Sequence, residues 1–179
     1  INMLALPGVI KQYHSSVTDH ATTMAETRGD TIAIIDLVNY NSSVGWGTTQ
    51  AASINSSYAA SYWPWVQMNT EAGLQYAPAS VVIPGVYAFN DNSAAPWFAP
   101  AGLVRGGITG VIQAEKRLTR TQRDTLYTDK VNPIASFPGQ GISVFGQKTL
   151  QTKASALDRV NVRRLLIELK KFIGDQART

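Results

Sequence analysis

The pattern of apolar positions in the first forty residues predicts a strand, a helix and a second strand. Residues 3–8, MLALPG, form a short apolar run that Pro-Gly stops. Residues 31–37, TIAIIDL, form a continuous β-branched run typical of a strand covered on both faces. Between the two runs, apolar side chains recur at helical spacing at Val17, Ala21, Met24 and Ala25. This order predicts a parallel βαβ unit with a right-handed crossover.

Two predicted helices carry recognisable start signals. The serine and aspartate of residues 16–19 have capping-box spacing at the first helix, and Gly29 stands where that helix could end. Residues 119–122, TRTQ, have the same spacing. They predict a helix that carries Leu126 and ends before residues 132–133, Asn-Pro.

The middle of the chain alternates turn formers with short apolar runs. Residues 39–50, NYNSSVGWGTTQ, are rich in turn formers and predict a loop. Residues 58–68, YAASYWPWVQM, predict a strand whose Pro64 belongs at a sheet edge or at the end of the strand. Ser80 is the predicted N-cap of a helix with Val82, Val86 and Phe89 on one face. Further strands are predicted at residues 108–115, 133–137 and 141–146.

The last predicted helix has the clearest pattern. Asn161 is its predicted N-cap, and a broad apolar stripe follows, typical of a helix that turns this face towards a core. The stripe consists of Val162, Leu165, Leu166, Leu169, Phe172 and Ile173. The basic residues that lie largely off the stripe are Arg163, Arg164, Lys170 and Lys171.

Composition limits the class of protein. The chain has 179 residues, of which 44% are hydrophobic and 16% are charged, and this predicts one globular domain with its own core. No run approaches 18 apolar residues, so no membrane span is predicted, and no signal peptide is visible. Without cysteine, disulfides and thiolate metal sites are excluded. The sequence begins at Ile1 inside a predicted strand, so we expect it to be a piece of a longer chain.

The net charge of +4 is distributed unevenly along the chain. Through Val104 there are 2 basic and 6 acidic residues, which gives −4, and from Arg105 onward there are 14 basic and 6 acidic residues, which gives +8. This asymmetry is compatible with a polyanionic partner. It is equally compatible with exposed strands and helices that happen to carry lysine and arginine.

The stretch at residues 137–150, FPGQGISVFGQKTL, invites comparison with a phosphate-binding loop. Such a loop requires G-x-x-x-x-G-K-[ST], and here a glutamine intervenes before the Lys-Thr pair. The residues between the glycines, ISVF, favour a strand that would straighten the cradle. We therefore predict a turn that feeds a core strand, in which Gly139 and Gly141 permit tight geometry and Gly146 lets the chain leave the sheet.

The sequence shows no catalytic or metal-binding constellation. His14 and His20 are six residues apart and do not share a helical face, so surface histidines are favoured over a metal pair. Asp36 ends a buried strand, where carboxylates often bind metals or ribose. Because no second acidic residue is near it in sequence, a capping or loop-anchoring role is favoured. Trp97 and Phe98, held between two prolines, are predicted to pack in the core or at an interface.

Several segments in order along the chain together resemble the contractile tail sheath proteins of bacteriophages, especially those of T-even-type viruses. Related sheaths belong to R-type pyocins and type VI secretion. Many sheaths have Trp where Phe145 stands and Arg where Lys148 stands, and an Arg-Gly pair before the APAG-like segment is missing, which indicates a subgroup. The segments are AETRGDTIAIIDL (25–37), SSYAASYWPWV (56–66), SVVIPGVYAFND (80–91), APWFAPAG (95–102), LTRTQRDTLYTDKVNPIASFPGQGISVFGQKTL (118–150) and VNVRRLLIELKKFI (160–173).

This resemblance implies a fold class and a domain organisation. We expect an α/β fold, in which a mixed β-sheet is flanked by helices and begins with the βαβ unit. Residues 1–179 would form a single tail-sheath core domain. It would be the middle of a longer subunit whose N- and C-terminal linking arms and further domains lie outside this sequence.

The resemblance also implies a structural function. The subunit would polymerise as stacked rings around an inner tail tube and contract to drive the tube through the host envelope. Its partners would be copies of itself, the tail tube protein, and baseplate and tail terminator proteins, without direct nucleic acid contact or membrane insertion. We expect no catalytic residue, cofactor or metal, and a location in the virion tail after assembly in the host cytoplasm.

The basic residues around the last helix are candidates for an interface. Arg159, Arg163, Lys170 and Lys171 would form a ridge that meets an acidic surface on the tube or on a neighbouring subunit, and the alternative is a solvated helix flank. Two other classes of protein stay open. A nucleic-acid-binding module is motivated by the basic second half and the aromatic residues, and an α/β enzyme would have an unrecognised site.

Overall fold

The computed structural model describes residues 2–177, and Ile1 of the predicted first strand lies outside them. The strands are β1 (Met3–Ile10), β2 (Ile32–Asp36), β3 (Ala59–Trp63), β4 (Val66–Thr70), β5 (Gly73–Ala77), β6 (Val111–Ala114), β7 (Val131–Phe137) and β8 (Gly141–Val144). The α-helices are α1 (Ser15–Arg28), α2 (Val44–Ala52), α3 (Ile83–Ser93), α4 (Gly102–Arg105), α5 (Arg120–Thr128) and α6 (Val160–Gln176). Single 3₁₀ turns lie at Ala79–Val81 and Ala156–Asp158.

A five-stranded sheet in the order β1-β2-β3-β7-β8 forms the centre of the domain. β1, β2, β3 and β7 are parallel neighbours, and β8 is antiparallel to β7. Because α1 connects the parallel strands β1 and β2, the predicted βαβ unit is confirmed. The mixed sheet with flanking helices confirms the predicted α/β class.

The alternation of side chains along β2 divides the core into two parts. Ile32 and Ile34 belong to the cluster that α3 and α6 cover, and Ala33 and Ile35 belong to the cluster that α1, α2 and α5 cover. All five residues of β2 are buried, as its continuous apolar run predicts.

A second sheet, antiparallel and three-stranded in the order β5-β4-β6, follows the central one along the chain. Pro64 lies between β3 and β4, so it stands at a strand end, which is one of the two predicted positions. β3 itself is the middle strand of the central sheet. Val66 of β4 is fully buried and joins the second sheet to the core under α3 and α6.

The capping box predicted at residues 16–19 is wrong. α1 begins at Ser15 behind His14, which makes no side-chain capping hydrogen bond. Asp19 instead accepts a hydrogen bond from Lys11 Nζ at 2.5 Å, so its carboxylate anchors the end of β1. The predicted helix end is confirmed, because Gly29 caps α1 in the left-handed conformation with φ of +65°.

The loop predicted over residues 39–50 is also wrong, because α2 occupies part of it. Ser43 caps this helix, and its Oγ accepts a hydrogen bond from the Trp46 N–H at 3.4 Å. Gly47 and Ala51 are the buried residues of α2. Gly47, which in the sequence suggests a turn, lacks a side chain and so lets α2 pack closely against the core.

α3 and α5 begin in different ways. Ser80 is not the N-cap of α3, since Val82 holds that position and Ser80 lies in the preceding 3₁₀ turn. Of the three residues predicted on one face of this helix, Val82 and Val86 are buried and Phe89 is half exposed. The predicted capping box of α5 is confirmed, because Thr119 Oγ1 accepts from the Gln122 N–H at 3.3 Å and Gln122 Oε1 accepts from the Thr119 N–H at 2.9 Å.

Residues 137–150 form a hairpin turn and a core strand, as predicted, instead of a phosphate-binding loop. Gly139 and Gly141 have φ of +73° and +75°, and β7 pairs with β8 across this turn. A Cβ on Gly146 would lie about 3 Å from three neighbouring side chains, so a larger residue where the chain leaves β8 would require these side chains to shift.

Candidate assembly surfaces

α6 packs on the domain through its basic face, which reverses the predicted orientation. Its buried residues are Val160, Arg163, Arg164 and Ile167. The predicted N-cap at Asn161 is also wrong, because that position belongs to Arg159. A helix normally buries its apolar stripe, so the two arginines need specific partners inside the domain.

Arg164 is the more deeply buried of the two arginines, and both of its terminal nitrogens are hydrogen-bonded. Its Nη1 donates to Asp91 Oδ1 at 2.8 Å and its Nη2 donates to Asp91 Oδ2 at 2.5 Å. Nη1 also reaches the Pro96 carbonyl at 3.3 Å, and the guanidinium lies 4.6 Å from the centre of the Tyr87 ring. This two-pronged pairing suits the planar guanidinium and ties α6 to α3.

Arg163 is 7% exposed, so it cannot contribute to an exposed ridge. Its guanidinium lies 3.9 Å from the centre of the Tyr58 ring and donates to Ser57 Oγ. Burial lowers the pKa of this guanidinium. The face of a tyrosine ring attracts a cation. Among the described residues, the Tyr58 ring therefore serves Arg163 in place of an acidic partner.

Of the other three predicted ridge residues, Arg159 lies apart from Lys170 and Lys171, which are neighbours near the end of α1. Arg159 forms an ion pair with Asp158 at 3.1 Å and donates to the Tyr127 hydroxyl, beside α5. Lys170 Nζ fills the space that a Cβ on Gly29 would occupy, at the end of α1. Lys171, on the same turn of α6, lies close enough to Asp30 to help lower the pKa of that carboxyl, although Arg28 is the main cause.

The apolar side of α6 faces outward. Leu166 is 41% exposed, Leu169 44%, Phe172 64% and Ile173 63%. We call this face the α6 stripe, and it consists of the predicted residues Val162, Leu165, Leu166, Leu169, Phe172 and Ile173. The first two members are half-buried.

A basic and aromatic cluster beside α5 was not anticipated from the sequence. The Arg123 guanidinium lies 5.0 Å from the Phe137 ring and 5.6 Å from the Phe145 ring, and Lys148 Nζ lies 4.7 Å from the Tyr127 ring. Phe145 is 45% exposed. An adjoining groove of about 490 Å³ is lined by Arg120, Arg123, Asp124, Tyr127, Pro133 and Phe145. The sequence shows two arginines three apart on a helix, but not the rings that they cover.

Trp97 and Phe98 lie on a surface loop next to α6, and both are about half exposed. Asn90 holds the loop, since its Nδ2 donates to the Ala95 carbonyl at 3.1 Å and the Phe98 carbonyl at 3.2 Å. Asn161 Nδ2 donates to the Trp97 carbonyl at 3.3 Å. The loop is therefore fixed in place while its aromatic side chains stay accessible.

Asp36 has the predicted anchoring role. Its carboxylate accepts hydrogen bonds from the Ser80 N–H at 3.1 Å and from the Ser80 hydroxyl at 2.5 Å, so the end of β2 is fastened to the turn before α3. Burial raises the pKa of Asp36 to about 6. Of the two histidines, His14 accepts from the Ile10 N–H at 3.3 Å, and His20 is exposed.

An apolar groove of about 430 Å³ lies between α3, α4 and the start of β8. Its thirteen lining residues include Val86, Phe89, Ile108 and Ile142, and none of them is acidic or basic. Across residues 2–177, acidic residues and histidines are nowhere grouped in threes that could hold a metal ion. No helix in the same part of the chain is long and apolar enough to cross a membrane.

Comparison with known sequences identifies relatives. The family model described as phage tail sheath protein central domain matches residues 1–150. The chain is 38% identical over 146 residues to the tail sheath protein of Vibrio phage KVP40, which covers 82% of this chain and 20% of the relative. It is 35% identical over 151 residues to the tail sheath protein of Enterobacteria phage T4, which covers 80% and 22%. The chain thus spans about a fifth of the length of these relatives.

Comparison with solved structures gives similar folds. The contracted helical sheath of the anti-feeding prophage aligns with a TM-score of 0.75 and 27% identity, over 98% of this chain and 46% of that one. The baseplate structure of the anti-feeding prophage gives a TM-score of 0.76 and 26% identity, over 98% and 45%. The contracted PVC sheath complex of an extracellular contractile injection system has the same fold, with a TM-score of 0.77, 23% identity and coverage of 98% and 47%. These alignments extend beyond residue 150.

Proposed function

This chain belongs to the phage tail sheath family, and we propose that it is the core domain of a structural subunit that polymerises around an inner tail tube and contracts. One observation carries the proposal. Residues 1–150 match the family model of the sheath central domain. In addition, 98% of the chain aligns with the subunit of a contracted helical sheath. Because its curated relatives are about five times longer, contraction is an activity of the whole subunit.

In this proposal residues 1–179 form one core domain, and the linking arms and further domains belong to other parts of the subunit. Identical subunits make head-to-tail contacts that do not close, which gives stacked rings or a helical tube. Contraction is then a switch between two packings of the same domains, with the arms as hinges. A free-energy difference of a few kcal/mol per subunit, the usual scale of two-state equilibria, adds up over a long lattice.

The interior of the domain supports its use as a rigid unit in such a switch. Three buried or partly buried contacts join distant elements: Asp36 to Ser80, Arg164 to Asp91, and Tyr62 to Tyr87, whose hydroxyls are 2.6 Å apart. Each contact would have to break before the elements could separate. The domain therefore keeps its fold while its neighbours change.

The same proposal assigns the partners and the location. The subunit contacts copies of itself, the tail tube protein, and baseplate and tail terminator proteins, and it resides in the virion tail after assembly in the host cytoplasm. It acts without catalysis or a cofactor. The relatives are described as sheath or baseplate components, so neither a nucleic-acid-binding module nor an enzyme is favoured.

Electron microscopy of the full-length subunit tests the proposed function. Expressed together with its tube protein, the subunit is expected to form hollow, striated sheaths around tubes. A subunit that stays monomeric at every concentration, or that turns over a small molecule in a cleft of this domain, would contradict the proposal.

The basic residues Arg159, Lys170 and Lys171 retain a proposed role at an acidic surface of the tube or of a neighbouring subunit. Arg163 does not belong to this group because its side chain is buried. Exposed charge pairs are weak and screened by salt, which suits a contact that must be released.

A charge reversal tests this surface. Lys170→Glu with Lys171→Glu in the full-length subunit is expected to reduce sheath assembly on tubes at low salt, as measured by co-sedimentation. Lys153→Glu reverses an exposed lysine that is not part of α6 and serves as the control. Unchanged assembly of the double variant at low salt would remove these lysines from the interface.

A further inference from the structure

The α6 stripe is an exposed apolar surface without an occupant among the described residues. Its apolar side chains cover three turns of one helix, from residue 162 to residue 173, a length of about 17 Å at the rise of an α-helix. Phe172 and Ile173 are each more than 60% exposed. A contiguous apolar patch of this kind is a mark of an interaction site.

The outward direction of the stripe is enforced by the opposite face of the helix. Arg164 is paired with both oxygens of Asp91, Arg163 lies against Tyr58, and Ile167 fills the core. Turning the stripe inward would break the buried ion pair and empty the position of Ile167. The exposed stripe is therefore part of the native arrangement, and its apolar surface must be covered by something else.

The chemistry of the stripe favours a permanent occupant. None of its six residues is polar or charged, whereas contacts that form and dissociate have a more polar composition. Neighbouring subunits of a contracting sheath have to change their contacts. A surface that stays covered in both states is best covered by its own subunit.

The lengths of related chains indicate which segment covers the stripe. This chain covers 45% to 48% of the sheath and baseplate chains of the two injection systems whose folds it shares, so about half of such a subunit lies outside the matched domain. We propose that the α6 stripe is the docking surface for an amphipathic helix from the part of the same sheath subunit that lies outside these 179 residues. Side chains spaced three and four apart form the ridges that a second helix packs against.

Site-specific photocrosslinking in the full-length subunit tests this inference, which rests on the proposed function. A benzophenone amino acid replaces Leu169, sheaths are assembled on tubes and irradiated, and the products are mapped by mass spectrometry. We expect one dominant crosslink within a single subunit, to residues outside 1–179, with the mobility of a monomer. The same probe at Trp46, exposed on α2, is the control and is not expected to give this product.

The other outcomes overturn the inference. A crosslink that joins two subunits, a crosslink to the tube protein, or none at all in well-formed sheaths would each show that the subunit's own helix does not cover the stripe. If the unmodified subunit forms no sheath, the proposed function fails instead, and the crosslinking result within the isolated subunit still decides whether the stripe is covered.

A pair of variants gives an independent measurement. Leu169→Glu with Phe172→Glu is expected to leave the Tm of the 179-residue chain unchanged within about a degree and to lower the Tm of the full-length subunit by several degrees. Equal shifts in both would place the stripe in the core of this domain and contradict the inference. No shift in either would leave the stripe without an occupant and contradict it as well.

Discussion

The guanidinium of Arg164 lies inside the domain with both of its ends occupied. A buried charge is tolerated when hydrogen bonds replace the water it has lost, and here Asp91, the Pro96 carbonyl and the Tyr87 ring do so. The arrangement ties α6 to α3 and to the loop that carries Trp97.

Removal of the Arg164 side chain should therefore be strongly destabilising. Arg164→Ala is expected to lower the free energy of unfolding by roughly 3–5 kcal/mol, because it leaves the Asp91 carboxylate partly buried and unpaired. Urea unfolding measures the difference. Arg120→Ala is the control, since Arg120 forms an exposed pair with Asp124 at 4.0 Å, and it should change stability by less than about 0.5 kcal/mol. Equal effects of the two substitutions would contradict the buried pairing.

Asp36 gives the domain a defined pH dependence. Its pKa is about 6 in the folded state, against 3.8 for an unperturbed aspartate, so the folded state binds the proton more tightly than the unfolded state does. The resulting stabilisation is fully present below about pH 4 and is lost as the pH rises through 6. A shift of about two units corresponds to roughly 3 kcal/mol.

Asp36→Asn isolates this effect, because the amide keeps an acceptor for the Ser80 N–H and does not titrate. The free energy of unfolding of the unmodified chain minus that of the variant is expected to fall by roughly 2–2.5 kcal/mol between pH 4 and pH 7. Denaturant unfolding at a series of pH values measures it. A flat difference, or one that rises with pH, would show that burial does not control this carboxyl.

Among the elements, α1 and α5 allow a test of helix capping. Thr119→Ala removes the capping box of α5 and is expected to lower stability by about 1 kcal/mol, because the Gln122 N–H loses its acceptor. Ser16→Ala alters the box that was predicted for α1 but does not form, so it should have an effect below about 0.5 kcal/mol. Thermal unfolding of both variants compares them, and a reversed order would contradict the assigned helix starts.

The direction in which α6 faces has an equally direct test. Ile167→Ala is expected to lower the free energy of unfolding of the 179-residue chain by roughly 2–5 kcal/mol, because the side chain is 2% exposed and leaves a cavity. Leu169→Ala, on the opposite face, should lower it by less than about 1 kcal/mol. Urea titrations of both variants provide the comparison. A larger loss for Leu169 would mean that the predicted orientation, with the stripe inward, is correct.

The sequence predicts elements whose signals are local. Three such signals are the apolar run of β2, the capping box of α5 and the apolar periodicity of α6. Each depends only on residues that are close together in the sequence. The orientation of α6 does not, because periodicity locates an apolar stripe but does not say which part of the molecule covers it. That choice depends on Asp91, which is 73 residues before Arg164. The cluster around Arg123 was missed for the same reason, since its rings come from other elements.

Across the whole molecule, both halves of the chain contribute to one sheet. β3 of the acidic half pairs with β7 of the basic half, so the charge asymmetry of the sequence does not correspond to two separate domains. The basic excess lies on α5, α6 and the segments beside them. Because α5 and α6 cover different sides of the central sheet, and because Arg163 and Arg164 are buried, the basic excess does not form a single exposed face.

The place of α6 in the core has a consequence for where this domain can be divided. The family match ends at Leu150, yet Val160 and Ile167 share a core cluster with Ile32 and Tyr62. A polypeptide shortened to residues 1–150 is expected to lose cooperative thermal unfolding, followed by circular dichroism, whereas one that ends at residue 177 should keep it. Recombination between sheath genes that exchanges this domain intact must therefore carry the helix along, with its crossover point beyond residue 176. The buried face of α6 then keeps the core against which it packs, and its exposed face contacts the segment encoded by the new gene.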